Sequence, residues 1–318
     1  MQLPLRPLPA AARPFDVVGL GQNSADLVAH VRAFPAANSK QRLLALERLP
    51  GGQVASAMVC CARLGWRARY VGTFGDDEPG AIGRASLIEE GVDVSAALTR
   101  ARARTRSAIV IVDDGSGERT VLWDRDPRLE LRPADVPPGA PASGRVLLVD
   151  AEDVGASSAA AALARAAGAV TVVDVEAVEP GIEDLLAHID VMIVSEGFPE
   201  QMTGAVGTGE ALERLAASFR PAVACVTLGA EGCLAWCGGR ELRVPACAVT
   251  CVDSTGAGDA FRGGFISALL AGGGRAALED VLRYANAVAA LNCRTAGARR
   301  GLPRPAGVEA LLRAGARP

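Results

Sequence analysis

Apolar positions along this chain follow two alternating rhythms. Short, unbroken apolar runs rich in Val, Ile and Leu occupy 15–21, 69–74, 145–150, 170–174, 191–194 and 222–228. Runs of this length, closed by Gly or Asp, predict strands buried on both faces. Between most of them lie longer stretches whose apolar residues recur every three or four positions, at 56–64, 80–90, 157–167 and 209–219. That spacing predicts amphipathic helices. Three more helical stretches, 257–271, 277–293 and 307–314, finish the chain. Strand and helix in this alternation predict an α/β fold with a mainly parallel central sheet covered by helices.

Some β-rich segments fall outside this alternation. The runs 107–112 and 119–123 flank Asp113-Asp114-Gly115-Ser116-Gly117, a hairpin signal. Segments near 26–30 and 42–46 also read as strands. Together they predict a small separate sheet drawn from about 24–48 and 104–125. A second hairpin, 234–236 with 241–244, turns at Gly238-Gly239. Residues 15–310 are expected to form one domain, with the proline-rich 1–14 as a loose arm. The one linker-like stretch is the proline-rich 133–141, and no internal repeat is present.

Composition narrows the chemistry. The chain has 318 residues and a net charge of −3, which argues against a nucleic-acid surface. Lys40 is the single lysine; the other basic residues are arginine. A Walker A loop needs Gly-Lys-Ser/Thr, and a protein-kinase site needs a strand lysine, so neither architecture fits. Gly19-x-Gly21-x-x-Ser24 lacks the third glycine of a dinucleotide fingerprint. The eight cysteines sit mostly in apolar runs and read as reduced core residues. Two isolated histidines, His30 and His188, supply neither a zinc site nor a Ser-His-Asp triad. No apolar run reaches membrane-spanning length, so a cytoplasmic location is expected.

The most informative stretch is Asp253-Ser254-Thr255-Gly256-Ala257-Gly258-Asp259-Ala260-Phe261. A glycine turn that opens a helix presents unpaired N–H groups and the positive end of the helix dipole, a ready anion site. A carboxylate there is placed to take a proton from a hydroxyl that attacks a bound phosphoryl group. The nonapeptide resembles the C-terminal signature of the PfkB, or ribokinase-like, carbohydrate kinases, with Ser254 where Thr is frequent. Gly51-Gly52-Gln53-Val54-Ala55-Ser56, trailed by Ala62-Arg63-Leu64-Gly65, resembles the family's N-terminal signature. Val226-Thr227-Leu228-Gly229-Ala230-Glu231-Gly232 resembles its nucleotide segment. Val194-Ser195-Glu196-Gly197-Phe198 departs from the usual Asn-x-x-Glu and, with Val173-Asp174-Val175-Glu176, stands nearest the ketohexokinase branch.

The resemblance covers about 15–303 and implies a ribokinase-like three-layer α/β/α sandwich with a small β-sheet lid. It implies ATP-dependent phosphorylation of a primary hydroxyl, with Asp259 as general base and Gly256, Ala257 and Gly258 holding developing charge. Asp26, Gly51, Gly52, Gln53, Ser56 and Glu152 are the implied sugar contacts, with Arg106 and Trp123 nearby. Ser195, Thr227, Gly229, Gly232 and Asn286 are the implied nucleotide neighbours. Mg2+ is implied at the phosphates, with Asp253, Thr255 and Glu196 as metal-side candidates. A monovalent cation such as K+ is implied beside Asp253, although Gly301 stands where some members carry a serine ligand. The lid implies a homodimer. Ketohexose, pentose, sugar acid and nucleoside acceptors stay open, as does a non-catalytic sugar or nucleotide sensor.

Overall fold

The computed structural model describes residues 1–116 and 119–315. Along the chain come β1 (Val17–Leu20), β2 (Ser24–Val31), β3 (Ala45–Gly51), α1 (Gln53–Arg63), β4 (Ala68–Val71), β5 (Thr73–Gly75) and α2 (Glu78–Glu89). Then follow β6 (Leu98–Arg100), β7 (Ser107–Asp113), β8 (Arg119–Asp124), β9 (Val146–Asp150), α3 (Val154–Ala166), β10 (Val170–Val175), α4 (Ile182–Leu186) and β11 (Val191–Ser195). The C-terminal half adds α5 (Phe198–Thr203), α6 (Thr208–Phe219), β12 (Val223–Thr227), β13 (Cys233–Cys237), β14 (Arg240–Val244), α7 (Ala257–Gly272), α8 (Leu278–Asn292) and α9 (Pro305–Gly315).

The central sheet runs β14-β13-β12-β11-β10-β9-β1-β4, parallel from β12 to β4 and antiparallel at the β13–β14 edge. Its strands are apolar on both faces because each face meets helices. Val146 and Leu148 of β9 pack into one core with α1, α7, α8 and α9. Leu147 and Val149 pack into the opposite core with α3 to α6. This is the helix-covered parallel sheet that the alternation predicts and the three-layer α/β/α sandwich that the resemblance implies.

The second sheet, β3-β2-β7-β8, stands apart as the expected lid. Its inner residues Val28, Ala108, Val110 and Val112 form a small core of their own. Gly117 of the expected hairpin turn lies outside the described residues. Strand β3 begins later than the 42–46 expectation. Its register is set by pairing with β2, Ala29 opposite Leu46 and Asp26 opposite Leu49, and not by an apolar alternation of its own.

Two expectations are corrected. The first residues of 1–14 are not loose: Leu3 is 2% exposed, its N–H donates to Ala276 O, and Met1 O accepts from Leu278 N–H. Leu3 and Leu5 lodge against the α7–α8 corner and the apolar core beneath it, which proline content alone could not reveal. The stretch 133–141 is no linker. It holds one 3-10 turn, Pro133–Asp135, and leads into another, Pro141–Ser143; the flanking Val136 and Ala140 are buried against the α3 side of the sheet.

Candidate active site

In open parallel sheets, ligands bind outside the carboxyl ends of the strands, where the strand order reverses. Here β1 lies between β4 and β9, and the four parallel strands β9 to β12 carry polar side chains at or next to their carboxyl ends. Asp150 of β9 pairs in register with Asp174 of β10, and Ser195 of β11 with Thr227 of β12. A cavity of about 480 Å³ opens above these ends, roofed by the lid. Its walls bring together residues far apart in sequence: Asp26, Gly51, Gly52 and Gln53; Glu152; Thr255, Gly256 and Asp259; and lid residues Arg106, Arg119 and Trp123.

Helix α7 opens at Gly256, in the left-handed region with φ 74°. Only glycine fits there: a Cβ would stand 2.5 Å from Ala298 O and 2.8 Å from Ala298 Cα. No side chain caps the helix. Ala257 N–H turns back to Ser254 O at 3.1 Å. Among the described residues the N–H groups of Gly256, Gly258 and Asp259 have no protein acceptor, so the free donors of this turn are these three and not Ala257.

Asp259 sits on the same turn and faces the cavity. Burial pushes its carboxyl up to about 7, against the pull of Arg262 one turn along the helix. Arg262 is itself 2% exposed. Its Nη2 donates to Ile193 O at 3.0 Å and lies 2.5 Å from Asp174 Oδ1 as an ion pair. Burial also raises Asp174, and it lifts Asp150 to about 7. Asp259 and Asp174 thus face the cavity, with Asp150 and Arg262 buried outside its lining, and the low dielectric there is what tunes a carboxylate toward neutral-pH proton transfer.

At the other end, Asp26 Oδ2 accepts from Ser24 Oγ at 2.9 Å and Oδ1 from Ala108 N–H at 2.9 Å. Burial raises its carboxyl. Glu152 accepts from Gln22 Nε2 and lies 3.5 Å from Arg125. Gly52, with φ 89°, lets the backbone pass close to Asn23, whose Cα any Cβ at this position would strike. Ser56 is not at the cavity. It is fully buried, and its Oγ accepts from Arg299 Nε at 3.0 Å. Arg299 also donates to Gly51 O and to Ser86 Oγ, tying the Gly51–Gly52 turn to the loop after α8. Sequence reading misses Arg299 and Arg262, which no local motif marks.

A second cavity, of about 610 Å³, lies between the loop following β14 and helices α8 and α9. Asn286 does not line it. Its Nδ2 donates to Val244 O at 3.2 Å and Pro245 O at 3.0 Å, holding the loop that forms the wall. Ser195, Thr227, Gly229 and Gly232 line neither cavity. Gly232, with φ 94°, packs so closely on Val244 O that a Cβ would collide with it.

On the metal side, Glu196 is exposed and stands outside both cavities. Among the described residues no group of three or more His, Cys, Asp or Glu forms a ready metal cluster. Asp174, Glu176 and Glu179, by contrast, are carboxylates that do face the cavity. Asp253 accepts from Thr255 N–H at 2.8 Å and Gly297 N–H at 2.7 Å. Burial opposes its charge, but these N–H groups hold its carboxyl below the usual range. Asn292 Nδ2 bridges Thr255 O and Ala298 O. Thr255 Oγ1 and Asn292 Oδ1 are buried without a hydrogen-bond partner. Gly301 packs directly on Asn292 O, where a Cβ would collide, so no serine hydroxyl fits there.

Residues 15–305 match the family model described as pfkB family carbohydrate kinase. The chain belongs to that family. It is a carbohydrate kinase, a phosphotransferase with an alcohol acceptor. A fructokinase from Klebsiella pneumoniae is 34% identical over 81% of this chain and 90% of its own. A crystal structure from Agrobacterium tumefaciens, provisionally described as a ribokinase, superposes with TM-score 0.86 at 27% identity, covering 96% of this chain and 99% of that one. The fructokinase of Vibrio cholerae O395, solved with fructose, ADP and calcium, superposes with TM-score 0.74 at 26% identity, over 93% and 99%. No helix among the described residues is long and apolar enough to cross a membrane.

Proposed function

We propose that this pfkB-family kinase moves the γ-phosphoryl group of ATP onto a primary hydroxyl of a sugar, with Asp259 as the general base. The observation that carries this reading is the shared cavity, in which the open turn Gly256–Asp259 faces Asp26, Gly51–Gln53 and Glu152. A sugar held by those groups presents a hydroxyl to Asp259, while Gly256, Gly258 and Asp259 N–H groups receive the charge of the transferring group. The fructokinase relatives make fructose the first acceptor to test. A panel of fructose, ribose, sugar acids and nucleosides, followed by coupled ADP release, is expected to give fructose or another sugar as the best acceptor. ADP release that no acceptor stimulates would sink the reading.

The base must be ionised to take the proton, and its carboxyl is raised to about 7. Turnover at saturating substrates is therefore expected to be low in acid, to rise through about pH 7 and to level above it. A rate already flat from about pH 5 upward would point to a group with an ordinary carboxyl.

The second cavity, walled by Val244–Ala248 and Leu311–Leu312, suits the adenine of ATP. Asn286→Ala, which frees the Val244–Pro245 wall, is expected to raise KM for ATP several-fold while kcat at saturating ATP stays near normal. An unchanged KM would remove that assignment. Mg2+, when bound with ATP, would supply positive charge against the phosphates; Glu176 and Glu179 are the cavity carboxylates that would hold it. Asp253 with the unpartnered oxygens Thr255 Oγ1 and Asn292 Oδ1 is where a monovalent cation such as K+ would be held. The lid's outer face carries Leu46, Ile109 and Leu122, each exposed by 47% or more, and a second copy of this lid is the partner that fits a homodimer.

A further inference from the structure

The loop after α8 stands between two cavities. Ala298 lines both, whereas Arg299 lines only the smaller, a space of about 180 Å³ behind the Gly51–Gly52 turn. Glu89 and Arg300, both exposed, line this rear cavity too, so it opens to solvent. Arg299 itself is 6% exposed, and among the described residues it makes no ion pair with a carboxylate. Buried charges are ordinarily paired, and burial pulls this guanidinium down to about 10. Its donors go instead to neutral oxygens on three elements. Nε donates to Ser56 Oγ of α1 at 3.0 Å, Nη1 to Ser86 Oγ of α2 at 3.0 Å, and Nη2 to the carbonyl of Gly51, the last residue of β3. Gly51 pairs with Ser24 of β2. A Cβ on Gly51 would stand 2.6 Å from Asp26 Oδ2 and 2.7 Å from Ser24 Oγ. The place of the Gly51 carbonyl therefore sets how closely the turn approaches the Asp26 carboxylate. The charge of Arg299 also falls on Asp26 and Asp259, from behind the turn.

We infer that Arg299 is a positioning residue for the acceptor: anchored on α1 and α2, its guanidinium holds the Gly51–Gly52 turn at the spacing from Asp26 that the acceptor's hydroxyls require. It acts through the turn and does not line the cavity that holds the substrates. A guanidinium suits this task because its donors are fixed in one plane and reach three elements at once. A lysine ammonium is a compact point charge and cannot serve all three from one place. The inference rests on the reading that Asp26 and Gly51–Gln53 hold the acceptor.

The test measures KM for the best acceptor, KM for ATP and kcat in Arg299→Ala, Arg299→Lys, Ser86→Ala and Asp26→Asn. Arg299→Ala is expected to raise the acceptor KM about 10- to 10²-fold, as a displaced substrate contact does. KM for ATP should stay within about twofold, because the loss falls on one substrate. Arg299→Lys and Ser86→Ala should move the acceptor KM in the same direction by less, and they carry the test if Arg299→Ala does not fold. Guanidinium at sub-denaturing concentration can enter through the rear cavity, so it should lower the acceptor KM of Arg299→Ala, while sodium chloride at equal ionic strength should not. An arginine that only supports the fold would instead lower Tm and kcat and leave the acceptor KM unmoved. That result overturns the inference, as does a rise of both KM values together. Asp26→Asn separates this failure from that of the underlying reading. A raised acceptor KM in Asp26→Asn with a normal one in Arg299→Ala overturns the role of Arg299 alone. A normal acceptor KM in Asp26→Asn overturns the placement of the acceptor, and the inference with it.

Discussion

Replacing Asp259 by asparagine is expected to lower kcat by about 10²–10⁴-fold, the usual worth of a positioned general base. The side chain keeps its size and its place in the first turn of α7, so the anion-binding N–H groups stay in position. ATP affinity, read by equilibrium binding, should change little. Burial already raises this carboxyl to about 7, so the wild-type protein holds both protonation states near neutral pH. An asparagine mimics the protonated state permanently. Loss of turnover with retained ATP binding therefore separates a failure of proton transfer from a failure of the site to assemble. Near-normal turnover in the variant would contradict the assignment.

Arg262→Met is expected to be the most destabilising single change at the site. It removes the partner of Asp174, which is 1% exposed, and the donor to Ile193 O. Breaking a buried pair by deleting one member costs about 3–5 kcal/mol when the other stays charged. Asp174 already has a raised carboxyl, and without Arg262 it rises further. A carboxyl raised in the folded state penalises folding as pH climbs above its unfolded value of about 4, and the penalty grows until the folded value is passed. The loss of Tm should therefore be larger at about pH 8 than at about pH 5. Arg262 also draws Asp259 downward, so the remaining activity should shift its pH profile to higher pH. A Tm deficit independent of pH, with an unmoved profile, would mean that Arg262 acts only through packing.

Much of this molecule can be read from the chain because its signals are local. The parallel strands are continuous apolar runs, and β1 and β9 to β12 lie where those runs lie. The Gly256–Asp259 turn carries its own geometry: a left-handed glycine, an uncapped helix and a carboxylate in the first turn. Short elements are not legible. Helices α4 and α5 span only Ile182–Leu186 and Phe198–Thr203, less than two turns, so no periodicity develops. The run at 69–74 splits into β4 and β5 at Gly72, where a Cβ would collide with the Tyr70 hydroxyl and Gly21 O.

Site residues that act across long sequence distances are the least legible. Ser56 sits in a sugar-type motif, yet its hydroxyl is turned to Arg299, 243 positions away. Asn286 holds a loop instead of facing a ligand. Glu196 looks metal-competent beside Ser195, but it lies exposed beyond the strand end, whereas Glu176 faces the cavity. Arg119, Arg262 and Arg299 are ordinary arginines in sequence. Tertiary placement sets one in the lid facing the cavity, one against Asp174 and one behind the Gly51–Gly52 turn.

Phosphorus NMR of the product formed with ATP and the best acceptor tests the central claim most directly. Transfer to a primary hydroxyl by Asp259 predicts a phosphate ester split by two geminal protons, formed by the wild-type protein and not by Asp259→Asn. An ester split by a single proton, inorganic phosphate alone, or the same product at the same rate from Asp259→Asn would contradict it.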